Sequence, residues 1–152
     1  MKNIICSLLL LAVVVPAAPC AADDTDVLTD LKCFMMPKRS VKGKKVFDYK
    51  GAKLYLCCSS CVKRMTKTPE KYEAKANHQL VLTGQFVQAA CPLSGDAVAK
   101  DSPMLEINGA KVMFSSADHK DKVAKLELAE QIETVFGAKG FKAGKFALKK
   151  ES

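Results

Sequence analysis

The hydrophobic pattern opens with an apolar run at residues 4–15, broken only by Cys6 and Ser7 and ended by Pro16. After it the apolar positions become short and periodic. Residues 46–49 and 54–56 are strand-forming and flank Lys50-Gly51-Ala52-Lys53, which predicts a β-hairpin. Residues 105–107 and 112–114 flank Asn108-Gly109, a pair suited to a type I′ turn, and predict a second hairpin. Each hairpin runs into a segment of helical spacing. Ser59 or Ser60 is placed to cap the first helix, which Pro69 interrupts or restarts, and Ser115 or Ser116 is placed to cap the second. From Val123, the residues Leu126, Ala129, Ile132, Val135 and Phe136 recur on one helical face, with Gly137 as a stop.

The two hairpins belong to a repeat. Shifting the chain by 58 positions lays Cys33 on Cys91, Gly51-Ala52-Lys53 on Gly109-Ala110-Lys111, Cys57 on Ser115 and Cys61 on His119. Each short match is weak alone, but they share one register, which points to an internal duplication. The order in each half is cysteine, hairpin, cluster position, helix. This predicts an α+β chain of two small zinc-finger-like units, residues 30–80 and 85–137, followed by a basic tail at residues 138–152.

The opening run reads as a secretory signal peptide. Lys2 supplies the positive start, small residues extend to Ala22, and the run is too short to cross roughly 30 Å of hydrocarbon. Cleavage after Ala22 removes residues 1–22 and implies an exported protein, periplasmic or secreted. Lipid anchoring at Cys20 is the lesser alternative, because Pro19 suits a lipobox poorly. A mature chain of about 130 residues fits one domain or two very small ones. Units that small usually need a metal, a disulfide or a partner. The mature part has no second run of membrane length.

The formal charge of +8 changes the picture little. Its lysines are dispersed, with denser stretches at residues 42–45 and 139–150, and read as solvated surface. Export argues against nucleic acid as a partner. Gly140 and Gly144 argue against a membrane-surface helix in the tail.

Cysteine usage carries the chemistry. Cys33, Cys57, Cys58, Cys61 and Cys91 survive cleavage, and an odd number leaves one thiol without an internal partner. Cys57 and Cys61 are one helical turn apart, as are Cys58 and Cys61, and a helix N-terminus favours the thiolate that binds metal. Cys33, Cys57 and Cys61 supply three ligands of a tetrahedral site. The fourth is open between Cys58, Asp30, Met36 and a group from the second half. Zinc suits four such donors, while thiolate with thioether suits copper(I), at one ion per chain.

Rival uses of the thiols are a disulfide between Cys58 and Cys91, burial of the vicinal Cys57-Cys58 pair, and redox use of Cys58-x-x-Cys61. The redox use lacks a surrounding βαβ pattern. In the second half, Ser115 and Ser116 replace thiolates by hydroxyls, leaving Cys91 and His119 in a degenerate copy. His78 reads as a surface or loop histidine. Met35, Met36, Met104 and Met113 have core packing as their default. No nucleophile-base constellation appears, so the expectation is a binding module, not an enzyme, with a thiol-disulfide redox protein or a structural or adhesion module whose fold a metal staples as the alternatives.

At these residues the chain resembles the YHS family and its TRASH-like relatives, proposed as metallochaperone or heavy-metal-sensing modules. The similarity covers roughly residues 32–72. It rests on the hairpin and cluster at residues 46–61 and on Thr68-Pro69-Glu70-Lys71-Tyr72, similar to the family's closing Pro-Glu-Lys-Tyr segment. Cys91-Pro92-Leu93-Ser94-Gly95 resembles the Cys-Pro-x-Cys-Gly opening of a related variant, with serine at the second cysteine. The resemblance implies treble-clef-like units, metal held through Cys33, Cys57 and Cys61, and a role in buffering the ion or passing it to a metal-accepting protein. Cys33-Phe34-Met35-Met36 departs from the family by lacking its paired cysteines. The second copy carries no cysteine cluster.

Overall fold

The computed structural model describes Leu28, residues 30–41 and residues 45–150. The expected signal segment, the Cys20 alternative and most of the first lysine-rich stretch lie outside the described residues. The chain is α+β, built from two-stranded antiparallel sheets and short helices.

In the first half, β1 (Lys32–Cys33) pairs with β2 (Met36–Ser40), and β3 (Lys45–Tyr49) pairs with β4 (Ala52–Leu56). Helix α1 (Ser59–Lys67), a 3-10 turn (Pro69–Tyr72) and α2 (Glu73–Leu82) follow. After β5 (Phe86–Val87), the second half runs through β6 (Met104–Ile107), β7 (Ala110–Met113), α3 (Ala117–Ala124) and α4 (Leu128–Phe136). It ends with α5 (Ala138–Ala143) and β8 (Ala147–Leu148).

Local chemistry explains the hairpins. Lys50 and Gly51 have φ of 52° and 79°, and Asn108 and Gly109 have 45° and 88°. Both two-residue turns thus place two successive residues in the left-handed region, as a type I′ turn requires. The second strands alternate across the pleat: Ala52, Leu54 and Leu56 are buried and Lys53 is exposed, as Ala110 and Val112 are buried and Lys111 exposed. The register of 58 thus carries turn to turn and buried face to buried face.

Two expected elements differ. The helical pattern starting at Val123 is divided, because α3 ends at Ala124 and α4 begins at Leu128. Glu130 Oε2 accepts a hydrogen bond from the Glu127 N–H at 3.4 Å and starts the new helix, which Gly137 closes as expected. Residues 138–148 are not a basic tail. They form α5 and β8, and β8 pairs with β5. Phe141 and Phe146 enter the core with their rings stacked at 4.8 Å. A Cβ on Gly140 would lie 2.0 Å from the Thr134 carbonyl oxygen, so glycine here permits α5 to fold tightly against the end of α4.

The two halves share one core, and α2 joins them. Its Asn77, His78 and Gln79 are consecutive, polar and buried. Asn77 Nδ2 donates to the Phe136 carbonyl at 2.8 Å, His78 Nε2 lies 2.9 Å from the Ile107 carbonyl and donates to it, and Gln79 meets β4. His78 is therefore an interior residue of a helix rather than a surface or loop histidine. Its ring packs edge to face on Phe136 at 5.0 Å, and Phe136 is its own counterpart at the register of 58. This ring contact places two counterpart positions of the repeat against each other, while β5 and β8 close the far end of the chain back onto residues 86–87.

Burial holds the His78 pKa below its ordinary value, outweighing its hydrogen bonds to the Ile107 and Asn108 carbonyls. The unfolded chain therefore takes up a proton near pH 6.5 that the folded chain refuses. Stability should be full above about pH 6.5 and should fall as the pH drops toward the lower folded pKa. Urea denaturation of the parent and His78→Gln between pH 7.5 and 5 checks this: the substitution should flatten the slope over that interval.

Candidate metal centre

Three sulfurs converge at the entry to α1. Cys33 sits at the end of β1, where the chain turns through Phe34 and Met35 and Cys33 pairs with Met36. Cys57 and Cys58 follow the last residue of β4, and Cys61 lies in the first turn of α1. Cys33, Cys57 and Cys61 Sγ all lie within 4.8 Å of one another. Cys57 Sγ is 3.8 Å and Cys33 Sγ 4.0 Å from Cys61 Sγ. Bonds of about 2.3 Å from a tetrahedral zinc place neighbouring sulfurs about 3.8 Å apart, so the three thiols fit such an ion.

Cys58 stands differently. Its Sγ is 3.5 Å from Cys61 Sγ, yet the mutually close group is Cys33, Cys57 and Cys61. Its backbone is the N-cap position of α1, with φ −161° and ψ 163°, the place expected for Ser59 or Ser60, and its side chain makes no capping hydrogen bond. The other proposed fourth ligands are dispersed. Asp30 is exposed and lines a cavity with Phe34 and His78, and Met36 is exposed on β2. Cys33, Cys57, Cys58, Cys61 and Cys91 are all free thiols, without the Cys58–Cys91 disulfide considered from sequence.

The sulfurs differ in their hold on protons. Burial opposes ionisation of Cys33, but the N–H groups of Cys57, Met35 and Met36, with the Cys57 thiol, lower its pKa below the ordinary thiol value. Cys58 is lowered to about 7, chiefly by hydrogen bonding to the Cys61 backbone. Burial raises Cys57 and, more strongly, Cys61, helped by the neighbouring thiols and the charge of Cys33. Like charges this close oppose one another, and a cation would remove that opposition.

What holds β4 in place was not visible in the sequence. Gln79 Oε1 accepts from the Tyr55 N–H at 2.8 Å, and Gln79 Nε2 donates to the Tyr55 carbonyl at 3.0 Å. The side-chain amide thus acts as a third strand two residues before Cys57. Gln88 does the same for Met113, two residues before Ser115, with distances of 2.9 and 2.6 Å. Tyr55 and Met113 are counterparts at the register of 58, but Gln79 and Gln88 are not. A repeat search therefore could not find the glutamines; the remaining sign was a glutamine within the buried stretch of α2.

The second-half positions also come together. Cys91 Sγ is 3.6 Å from His119 Nδ1, Ser115 Oγ is 3.1 Å from the same nitrogen, and Ser94 Oγ is 3.1 Å from Ser115 Oγ. Ser116 caps α3 by accepting from the His119 N–H at 3.3 Å. Burial works against a charged Cys91. Hydrogen bonds from Ser115, Ser94 and the Leu93 backbone outweigh it and lower the thiol to about 6. Comparison with protein-family models, curated proteins and solved structures finds no match.

Two outcomes follow from this geometry. Zinc binding near pH 7 should release protons, with Cys57 and Cys61 contributing because their thiols hold them most strongly, and apparent affinity should rise with pH. Calorimetry in buffers of different ionisation enthalpy measures the release. Gln79→Glu keeps the acceptor for the Tyr55 N–H but removes the donor to its carbonyl. It should cost about 1–3 kcal/mol of stability by urea denaturation.

Proposed function

We propose that this chain is an exported soft-metal-binding module that buffers zinc or copper(I) or passes it to a metal-accepting protein. The convergence of the Cys33, Cys57 and Cys61 sulfurs supports this reading above any other observation. Three soft donors suit zinc or copper(I) better than magnesium or calcium, which favour oxygen. The half-buried state of Cys57 and Cys58 leaves one side of the cluster approachable, as ligand exchange with a partner requires.

In this reading each half is a treble-clef-like unit, the resemblance to the YHS and TRASH-like modules reflects relationship, and residues 1–22 direct export. The chain acts by binding rather than by catalysis. No described helix is long and apolar enough to cross a membrane, which agrees with the absence of an integral segment from the proposal.

Anaerobically purified protein should hold one equivalent of zinc or copper(I) tightly, and Cys57→Ser/Cys61→Ser should lose it. Metal analysis with free-thiol counting is the measurement, and a parent that takes up neither ion refutes the proposal. The 3.5 Å approach of Cys58 to Cys61 favours a second reading, a thiol-disulfide pair. Mass mapping before and after mild reduction separates the two, since redox use requires a Cys58–Cys61 disulfide that forms and breaks reversibly.

A further inference from the structure

The register of 58 carries the first cluster's positions onto Cys91, Ser115 and His119, and carries Met36 onto Ser94. These four side chains are scattered over residues 91–119, yet the fold gathers their polar atoms. The sulfur-to-Nδ1 distance is 3.6 Å and the two hydroxyl contacts are 3.1 Å each. Bonds of about 2.3 Å to sulfur and about 2.0 Å to imidazole nitrogen at a tetrahedral angle give a sulfur–nitrogen separation of about 3.5 Å. The Cys91–His119 pair thus has the spacing of two ligands on one ion.

We propose that Cys91 Sγ and His119 Nδ1 form a second, separate metal site for a borderline divalent cation such as zinc, with the Ser115 and Ser94 hydroxyls or water completing the coordination.

Several observations support a site beyond a hydrogen-bonded remnant. Cys91 is as fully buried as Cys33, whereas Ser94 is exposed and marks the side from which an ion enters. The backbone that carries the imidazole is fixed, because the His119 main-chain N–H donates to the Ser116 hydroxyl in the first turn of α3. Gln88 clamps β7 just before Ser115, as Gln79 clamps β4 just before Cys57, so the second position is braced like the first.

The donors differ in kind, and this sets the preference. One thiolate, one imidazole and hydroxyls are harder than three thiolates, so the second site should favour zinc over copper(I) relative to the first. With two strong protein donors it should also bind more weakly and keep positions open to water, an arrangement unlike a closed structural site.

The test is titration of the full chain with cobalt(II), followed by absorption, with copper(I) uptake as an independent measure of the first site. The parent should bind a weaker cobalt equivalent that His119→Ala and Cys91→Ser each abolish, while copper(I) uptake at the Cys33 cluster persists. That persistence, with an unchanged circular dichroism spectrum, shows that the variants fold. His119→Cys should retain the equivalent and intensify the sulfur-to-cobalt charge-transfer band.

Loss of the first site alone leaves this inference intact, provided a cobalt equivalent remains that depends on His119 and survives Cys57→Ser/Cys61→Ser. The inference is overturned if His119→Ala and Cys91→Ser bind as much cobalt as the parent. It is equally overturned if every equivalent disappears in Cys57→Ser/Cys61→Ser.

Discussion

The structure depends on three neighbouring polar side chains buried in α2. Asn77, His78 and Gln79 reach in three directions, to the end of α4, to β6 and to β4. Each meets a backbone group that would otherwise face an apolar interior, and leaving such a group unpaired costs on the order of 1–3 kcal/mol. Apolar contacts tolerate sliding, whereas these bonds have a single register. One helix therefore sets where both hairpins lie, and with them where the sulfurs of the first half can meet.

The cluster follows from this placement. Cys33 comes from one hairpin, Cys57 from the end of another and Cys61 from a helix, so no short segment brings all three together. Their sulfurs are packed closely enough that full ionisation is opposed from within, as the raised Cys57 and Cys61 show. The fold supplies the geometry before it supplies the charge state, and a bound cation would reconcile the two.

The parts legible in the sequence are those governed by local chemistry. Asn108-Gly109 announces a turn because few residue pairs accept two left-handed conformations in succession, and the alternation around Leu54 and Val112 marks the buried faces. Cys33, Cys57 and Cys61 were legible as a set through spacing and repetition. The N-cap position of Cys58 was not legible, because it depends on a backbone angle. His78, Gln79 and Gln88 were hidden for a different reason. A polar residue reads as exposed unless its partner is known, and each partner lies 24 or more positions away. The final segment misled similarly, since its lysines stay outside while Phe141 and Phe146 turn inward.

The contact of His78 with its own counterpart Phe136 has a further consequence. Two like units in contact would ordinarily be a dimer, whose assembly weakens on dilution. Here a single chain carries both, so the interface forms at the high effective concentration of a tether. The pairing can then be asymmetric, with a histidine on one unit and a phenylalanine at the matching position of the other. Identical subunits cannot make that combination, since every substitution would appear twice. Covalent linkage thus lets the side chains at matching positions of the two halves diverge, with neither half having to hold its neighbour by affinity alone.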